Sequence, residues 1–354
     1  MTHENDHSQA IRERVAAAAG SGTALAIEGS GSKGFLGREP QGEPLSLAEH
    51  TGIVNYEPTE LVLTARTGTR LEELEHILAD AGQMLPFEPP QFDGGGTLGG
   101  AIASGLSGPA RPFAGSARDL VLGCRLVNGR GEDMHFGGEV MKNVAGYDIS
   151  RLQTGAMGTL GVLLEVSLKV LPRPEKVLGL TLELPRNEGF RNVMDWQARG
   201  APVTGSAHDG HRLHLRLSGS ALGVNASRKM IGGEEEDLAF WQDLRDHRLP
   251  WFARQTLLWR VALPPGRTLP EGFLGNALLD WNGQQVWIGG EQDFGALQQA
   301  ARTAGGHARL FRGGDRRGEV LPDGGPVFRR LHRNIKQAFD PEGILNPGRL
   351  YADL

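Results

Sequence analysis

A glycine-rich loop near the N-terminus is the first stretch whose residues could do chemistry. It reads AIEGSGSKGFLG over residues 26–37, where Gly29, Gly31 and Gly34 match the spacing G-x-G-x-x-G of a dinucleotide fingerprint. That fingerprint needs a strand that leads into the glycines and a helix that leaves them, so that the helix N-terminus faces a pyrophosphate. A short apolar strand precedes the loop, but the continuation FLGREPQGEP contains glycines and prolines that exclude a helix. We therefore predict no Rossmann helix at this position.

The same loop keeps a second possibility, because the backbone N–H groups of small residues can curl into an anion-binding nest. Ser30, Ser32 and Lys33 would add side-chain donors to such a nest. An ordinary glycine-rich loop is the alternative, and the local sequence does not separate the two.

Three histidines in the segment HDGHRLH are candidate metal ligands. On one continuous strand His208 and His214 would share a face while His211 would point away, which is a poor ligand geometry. We therefore expect surface histidines and no metal site.

Basic residues are concentrated late in this acidic chain. They could hold a substrate carboxylate or form the docking face for an acidic partner, and a solvated surface is the alternative. They are Arg309, Arg312, Arg316, Arg317, Arg329, Arg330, Arg333 and Lys336. The single cysteine, Cys124, lies in the apolar run LVLGCRLV, so we expect a buried strand thiol without chemistry.

The elements that must position these residues alternate between helices and strands. Residues 8–20 form a predicted helix, and TRLEELEHILADAG forms another, with a capping box made by Thr69 and Glu72. A second glycine-rich region follows at residues 87–116, and then a hairpin turned at Asn128-Gly129. After a third such region, QTGAMGTLG, the strand VLLEVSLKV is expected to place one face on a core and the other in water.

The prolines of LPRPEK, residues 171–176, indicate a domain boundary. Beyond it we predict strands near 177–183, 212–217, 256–262, 284–288 and 307–312, with helices between several of them. A helix near 326–339 and the irregular segment FDPEGILNPGRLY close the chain.

Composition excludes several classes of function. A net charge of −5 and a pI near 6.1 argue against nucleic-acid binding, which needs a basic surface. No apolar run is long enough to span a membrane, and the opening MTHENDHSQ lacks signal-peptide features, so we expect a cytoplasmic protein whose membrane association is made only through partners. The 52 glycines indicate many sharp turns or contacts between backbone and ligand.

The segments IEGSGSKG, PPQFDGGGTLGGAIASGLSGP, GAMGTLGVLLEVSLKVLP and FDPEGILNPGRLY, in this order, resemble flavoenzymes of the vanillyl-alcohol oxidase type, also called PCMH-type. The resemblance implies an α+β fold in which a two-part FAD-binding domain (1–172) is followed by a smaller α+β cap domain (173–325). Residues 326–354 would return to the FAD-binding domain. Within this superfamily, GSKGFLG and VMKNVAGYDISRLQTGAMGTLGV resemble the bacterial glycolate oxidase group, and the short length resembles its E subunit.

The resemblance also implies FAD-binding residues. The first loop would wrap the pyrophosphate, the second region would line the flavin and ribityl chain, the third would pass the adenine, and the tail would reach the isoalloxazine. Thr97 of the second region would also be the N-cap of a helix. The residues are Gly29, Ser30, Gly31, Ser32, Lys33, Gly34, Pro90, Thr97, Gly99, Gly100, Ser104, Gly108, Gly158, Leu160, Gly161, Val162 and Asn346. Neither the first loop nor GGAIASGLSG contains a histidine or cysteine that could attach to the ring, so we expect non-covalent FAD.

Two departures from the family pattern concern the same segments. Glu28 places a carboxylate beside the nest, and Ala101 and Gly105 stand where the family commonly carries asparagine. The backbone contacts do not depend on these side chains.

The catalytic residues are less well defined. Lys142, Asn143 and Tyr147 in KNVAGYD are candidates for the edge of the flavin, or for a turn that only braces the domain. The resemblance implies oxidation of glycolate to glyoxylate, beside a second flavin subunit and an iron–sulfur subunit. Two alternatives remain: a self-sufficient FAD-dependent 2-hydroxy-acid dehydrogenase, and a non-catalytic assembly subunit.

Overall fold

The computed structural model describes residues 5–92, 95–138 and 147–354, and the chain forms two compact units. The first unit comprises Met1–Ser107, Ser116–Pro172 and Asp315–Leu354, and the second comprises Gly108–Gly115 and Arg173–Gly314. The chain passes to the second unit after residue 172 and returns to the first unit at residue 315. The short segment from Gly108 to Gly115 also belongs to the second unit.

The smaller part of the first unit is built on a parallel strand pair. Helix α1 (Ser8–Ser21) leads into β1 (Leu25–Glu28), which pairs with β2 (Glu43–Ser46). The C-terminal tail joins the same strand, because Leu25 N–H donates to the carbonyl of Ile344 at 2.7 Å. One apolar core therefore contains residues from both ends of the chain.

The larger part of the first unit is an antiparallel sheet with the strand order β3-β4-β8-β6-β7. The strands are β3 (Ile53–Glu57), β4 (Val62–Arg66), β6 (Val121–Val127), β7 (Asp133–Gly137) and β8 (Val162–Lys169), while β5 (Gln83–Met84) pairs separately with β9 (Leu171–Pro172). The accompanying helices are α2 (Leu71–Asp80), α3 (Leu98–Ser104), α5 (Ala117–Leu120) and α6 (Ile149–Leu152), and α4 (Arg111–Ala114) belongs to the second unit.

Strand β8 is buried on both faces, which corrects the prediction that one face meets water. Leu163 and Val166 join the core with α2 and α3, whereas Val162 and Leu164 join the core with α1. The polar residues of the strand are paired instead of hydrated, for example Glu165, which accepts a 2.8 Å bond from Arg125. The alternation of apolar and polar residues predicts one exposed face, because this pattern contains no information about a second core on the other side of the sheet.

Two local predictions also need correction. Helix α2 has no side-chain cap, because Thr69 Oγ1 accepts the N–H of Gly52 at 2.9 Å instead of that of Glu72. The hairpin between β6 and β7 has a five-residue loop, residues 128–132, in which the side chain of Asn128 accepts the N–H groups of Arg130 and Glu132. Both differences arise from side chains that bond outside the expected local motif.

The second unit contains an antiparallel eight-stranded sheet with the order β13-β10-β12-β11-β15-β16-β14-β17. Its strands are β10 (Lys176–Leu182), β11 (Val203–His208), β12 (Leu213–Gly219), β13 (Glu234–Glu236), β14 (Leu258–Ala262), β15 (Ala277–Asp280), β16 (Gln285–Gly289) and β17 (His307–Arg312). Its remaining helices are α7 (Arg186–Ala198), α8 (Ala221–Ile231), α9 (Ala239–Arg245), α10 (Pro250–Ala253) and α11 (Phe294–Thr303). Alternate leucines of β12 pack with Val193 of α7 and Val224 of α8, so these helices cover the same face.

Helix α12 (Gly325–Phe339) matches the helix expected near 326–339 and leads into the tail. Lys336 fixes this junction, because its Nζ donates to the carbonyls of Thr159 and Leu345 and to the carboxylate of Asp340 at 2.6 Å. Within the described ranges, no helix combines the length and apolar character needed to cross a membrane.

Candidate functional site

A cavity in the first unit brings together the three glycine-rich regions and the tail. It contains about 1030 Å³ of empty space, part of it open to solvent. The predicted residues that line it are Gly29, Ser30, Gly31, Ser32, Lys33, Gly34, Thr97, Gly99, Gly100, Ser104, Gly158, Gly161 and Asn346. Segments distant in sequence therefore meet at one place.

Four predicted residues do not line this cavity. Val162 lies in the core with α1, and Leu160 faces a different cavity of the first unit. Pro90 is buried outside the lining, and Gly108 belongs to the second unit, where its carbonyl accepts the indole N–H of Trp281 at 2.9 Å. The apolar residues among these four are predicted from their position in a motif. The direction in which their side chains point depends instead on packing against neighbouring elements.

The first loop leaves β1 without entering a helix, as its prolines predict. Gly31 adopts a φ of +76°, and Gly34 N–H donates to the carbonyl of Gly31 at 2.9 Å, which closes a tight turn. The Gly34 donor is thereby used inside the loop, so the nest depends on the preceding N–H groups.

Two arginines that the sequence analysis did not assign to the loop hold its second half. Arg349 donates to the carbonyls of Gly34 and Arg38, and Arg316 donates to that of Gly37. Burial lowers the pKa of Arg349, and burial together with neighbouring Arg349 lowers the pKa of Arg316 to about 10. Arg349 lines the cavity and gives it a buried positive charge suited to an anionic ligand.

Lys33 is a second buried cation at the cavity. Its side chain is 8% exposed, its Nζ lies 3.4 Å from Ser32 Oγ, and it lies 5.5 Å from the centre of the Phe92 ring. Glu28 also lines the cavity, as its position beside the loop predicts. Among the described lining residues the cations Lys33 and Arg349 outnumber this one carboxylate.

The second glycine-rich region approaches the first so closely that side chains are excluded. A Cβ on Gly29 would lie 2.5 Å from Thr97 Oγ1, and one on Gly99 would lie 2.7 Å from Thr67 Cβ. Thr97 is the N-cap of α3, where it accepts the N–H of Gly100 at 3.2 Å, and this confirms its predicted capping role. The cavity wall is consequently made of backbone, which can lie against a flat or extended ligand.

Asn346 braces three segments of the wall. Its Oδ1 accepts the N–H of Ile27 at 2.7 Å, and its Nδ2 donates to the carbonyl of Met157 at 2.6 Å. A Cβ on Gly158 would lie 2.8 Å from the same Nδ2. These bonds give the side chain a bracing role within the protein, besides its place on the cavity wall.

Gln153 is a lining residue that the motif did not reveal. It is 2% exposed, and its Nε2 has no hydrogen-bond partner among the described residues. A buried amide donor without a partner is costly, and a ligand acceptor would remove that cost. The sequence signal for it is its position at the start of the third glycine-rich region, QTGAMGTLG.

Of the catalytic candidates in KNVAGYD, Tyr147 lies among the described residues. It is 96% exposed and does not line the cavity. Lys142 and Asn143 lie outside the described residues. Catalytic residues therefore remain unassigned.

The three histidines lie on a hairpin and not on one strand, which corrects the geometry assumed for them. His208 and His214 are buried, so the expectation of surface histidines is wrong for these two. His208 ends β11 and bonds to the carbonyl of Leu184, His211 is exposed in the turn, and His214 lies on β12. Burial alone would lower the pKa of His214, but Asp209 and Glu236 outweigh it and raise the pKa. Among the described residues, no group of three histidine, cysteine or acidic side chains is arranged to hold a metal ion.

The late basic residues do not form one cluster. Arg309 and Arg312 belong to the second unit, while the rest belong to the first. Several of the latter are paired, since Arg329 and Arg333 both bond to Asp353 at 2.7 Å. Sequence proximity predicted a single patch, but the domain boundary passes through it.

Within the second unit, Arg309 belongs to a different basic group, the arginine triad, formed with Arg111 and Arg260. Arg260 and Arg309 are register partners on β14 and β17, and the guanidinium carbons of Arg111 and Arg260 lie 4.5 and 4.9 Å from the ring centre of Trp281. Burial and the positive charges of Arg309 and Arg111 lower the pKa of Arg260, against the opposing effect of Asp280. Such a group is suited to an anion.

Cys124 is buried in β6, as expected, and burial raises the pKa of its thiol to about 12. A thiol with so high a pKa is not a nucleophile at neutral pH.

The main cavity fits the FAD that the motifs imply. Gly29 and Gly99 leave no room for a side chain at its wall, two buried cations suit a pyrophosphate, and the buried amide of Gln153 has no acceptor among the described residues. All three features are observed in the residues of this chain, independently of any relative.

Comparisons with known proteins agree with this assignment. The family model of an FAD binding domain matches residues 4–137, and the model of the C-terminal domain of FAD linked oxidases matches residues 313–350. Both matched ranges lie almost entirely in the first unit.

Two relatives are similar in sequence. The glycolate oxidase subunit GlcE of Escherichia coli is 47% identical over the full length of both chains. The glycolate oxidase subunit GlcD of Bacillus subtilis is 32% identical over 35% of this chain and 26% of its own.

A solved structure is similar in fold. An alkyldihydroxyacetonephosphate synthase superposes with a TM-score of 0.69 over 97% of this chain and 74% of its own, at 15% identity. At that identity the likeness concerns the fold alone.

Proposed function

This chain belongs to the GlcE family of glycolate oxidase subunits, and from that membership we propose that it is the FAD-binding subunit of a glycolate oxidase complex. In that role it takes part in the oxidation of glycolate to glyoxylate. It also passes electrons toward an iron–sulfur partner.

The observation that carries this proposal is the backbone-lined cavity of the first unit. A Cβ on Gly29 would overlap Thr97, and a Cβ on Gly99 would overlap Thr67, so only glycine fits at these two positions of the cavity wall. Lys33 and Arg349 supply positive charge at the same wall. An extended ligand with a pyrophosphate matches both features.

The chain's residues bind and orient the cofactor. The first loop and Arg349 would hold the pyrophosphate, Gln153 would donate to an acceptor of the cofactor, and Asn346 would keep three wall segments together. FAD, when bound, supplies the electron-accepting chemistry of the reaction. Within the two glycine-rich segments proposed to contact the flavin, no histidine or cysteine is present to attach it, which supports non-covalent binding.

The arginine triad of the second unit is the best candidate for binding the substrate carboxylate. Arg111 and Arg309 repel the buried charge of Arg260, and among the described groups only Asp280 opposes their effect on it. A small carboxylate would relieve this repulsion through charge-assisted hydrogen bonds.

Electron transfer beyond the flavin requires partners. One cysteine cannot ligate an iron–sulfur cluster, so that cluster must belong to another chain. The partners proposed are a second flavin subunit of the GlcD type and an iron–sulfur subunit, and any association with a membrane is made through them.

Two other functions are distinguished by experiment. A self-sufficient FAD-dependent 2-hydroxy-acid dehydrogenase would need its own base or metal at the substrate, for which the described residues offer no metal-binding group. A non-catalytic assembly subunit would keep the fold and lose the cofactor or its use.

The test compares anaerobic bleaching of the flavin by glycolate in the isolated chain and in the complex reconstituted with its partners. We expect the isolated chain to bind FAD and bleach slowly, and the complex to bleach rapidly. Rapid bleaching of the isolated chain would establish the self-sufficient dehydrogenase. A colourless chain that takes up no FAD but still assembles would establish the assembly subunit.

A further inference from the structure

The first unit contains a second cavity, distinct from the cofactor cavity. It contains about 750 Å³ of empty space, part of it open to solvent, and lies between α5, α6, α12 and the C-terminal residues. Its apolar lining consists of Leu152, Ala156, Leu160, Ile335, Leu350 and Leu354. No residue lines both cavities, although the segment 153–161 contributes alternately to each.

Helix α12 extends the apolar surface of this second cavity. Val327 is 62% exposed and Leu331 is 53% exposed, and with Ile335 they follow one another at intervals of four residues. That spacing places them on one face of the helix. Ile335 lies in the cavity, so Leu331 and Val327 continue its apolar lining by one and two turns.

Other side chains of the helix pack within the unit, and one of them, His332, also lines the second cavity. Phe328 packs against His332 at 4.0 Å between ring centres, and Tyr351 of the tail lies within 5.9 Å of both rings. A surface helix needs one apolar face for its own packing. The stripe of Val327, Leu331 and Ile335 is therefore not required for packing the helix against this unit.

The charged side chains that line the second cavity are basic. They are Arg118, Arg151 and Lys336, and among the described lining residues there is no acidic side chain. Asp340 neutralises Lys336 at 2.6 Å, and Asp148 pairs with Arg151 at 3.1 Å from outside the cavity. Arg118 adds a positive charge beside these two ion pairs, which contrasts with the net charge of −5 of the whole chain.

We propose that the second cavity and the stripe of α12 form a docking surface for a partner subunit. The partner segment would carry an apolar side chain that enters the cavity and acidic residues that face Arg118 and Arg151. Apolar interface centres with arginine are typical of protein–protein contacts, and opposite charges would select the orientation. This inference rests on the proposed function, because it assigns a surface to the partner that the function requires.

The test uses the chain co-expressed with its GlcD-type and iron–sulfur subunits and purified through a tag on this chain. The double variant Val327→Glu/Leu331→Glu is compared with Met194→Glu/Leu222→Glu, whose residues are 53% and 82% exposed on α7 and α8. We expect the first variant to retain at least tenfold less partner and the control to retain the wild-type amount. FAD content and melting temperature should be equal in all three proteins.

The charge of the partner is tested separately. We expect Arg118→Glu to weaken partner binding severalfold, and wild-type binding to weaken as ionic strength rises. Binding that is unaffected by both changes would overturn the assignment of an acidic partner segment.

The remaining outcomes each decide the proposal. Full partner retention by Val327→Glu/Leu331→Glu overturns it, as does equal loss in the control variant. If the isolated wild-type chain dimerises in sedimentation and the double variant does not, while the partners are retained, the surface binds a second copy and the proposal is wrong. If the wild-type chain itself fails to assemble with any partner, the proposed function fails and the docking surface with it.

Discussion

Glycine is required at the cofactor cavity for two separate physical reasons. At Gly29 and Gly99 the reason is space, because a Cβ would overlap Thr97 or Thr67. At Gly31 the reason is backbone conformation, because its φ of +76° is unfavourable for other residues, whereas a Cβ added there would meet no atom within 4 Å. A side chain at Gly31 can thus be accommodated sterically and would extend into open space at the cavity wall.

The first prediction concerns this difference. Gly31→Val should abolish FAD binding, because its side chain would occupy space beside the nest. Gly200→Val is the matched control, since Gly200 also has positive φ and open surroundings but lies in the second unit. Both variants should lose a similar amount of stability, about 1–2 kcal/mol, from backbone strain. Equal flavin content in the two purified proteins would show that the loop does not contact FAD.

A second prediction at this scale concerns pH. His50 is 1% exposed, accepts the N–H of His7 through Nδ1 and bonds to the carbonyl of Leu164 through Nε2, an arrangement that needs the neutral ring. Burial, against the opposing effect of Asp6, lowers the pKa of His50 from 6.5 to about 4. Its contribution to stability is therefore complete above about pH 6.5 and is lost as the pH falls through 4; the shift corresponds to about 3 kcal/mol.

This pH dependence is measured as the difference in unfolding free energy between wild type and His50→Gln across that range. The difference should shrink on acidification. His214→Asn is the contrasting control, because a raised pKa makes the contribution of His214 largest at low pH, and it is lost as the pH rises through the folded value. Parallel pH curves for wild type and His50→Gln would contradict the prediction.

Among the elements, the C-terminal tail depends on one buried ion pair. Asp340 is 1% exposed and accepts the N–H groups of Ile344 and Leu345, while Lys336 joins it to the carbonyl of Thr159. Burial lowers the pKa of Lys336 despite the nearby carboxylate. The pair thus connects α12 and the tail segment beside β1 to the third glycine-rich region.

A third prediction follows at this scale. Lys336→Met leaves the carboxylate of Asp340 buried without its cation, so the free energy of unfolding should fall by about 3–5 kcal/mol. The double variant Lys336→Met/Asp340→Asn should recover part of this loss, because no uncompensated charge remains. Urea denaturation of the three proteins measures both values, and a double variant less stable than Lys336→Met would contradict the explanation.

For the whole molecule, the two units divide the proposed tasks. The cofactor cavity belongs entirely to the first unit, and the arginine triad belongs entirely to the second. Each can therefore be altered without changing the other, which makes the division testable.

The fourth prediction uses this independence. In the assembled complex, Arg309→Gln should raise the KM for glycolate about tenfold or more and leave the FAD content unchanged, since a charge-assisted bond to a carboxylate contributes about 1.5–3 kcal/mol. Arg267→Gln, at an exposed arginine of the same unit, is the control. An unchanged KM in Arg309→Gln would remove the triad from the substrate site.

Residues whose role depends on the local chain were predictable from the sequence. The loop from Gly29 to Gly34 was expected to leave β1 without a helix, because prolines act within a few residues of their position. Thr97 is also predicted correctly as the N-cap of α3, because an N-cap side chain bonds to the backbone only three residues further along the chain. The common ligand of the three glycine-rich regions is implied by their resemblance, in the same order, to segments of the flavoenzyme family.

What only the tertiary structure decided are the contacts between distant segments. Arg349 reaches the carbonyl of Gly34, and Gln153 presents its amide at the same cavity, although the motifs that contain them predict neither side chain as a binding residue. Leu160 and Val162 turn away from that cavity because the cores and the second cavity determine where apolar side chains lie. The late arginines separate into two units because a domain boundary, and not their spacing, determines their neighbours. Sequence specifies chemistry and local conformation, whereas the direction of a side chain and its partners depend on packing between elements.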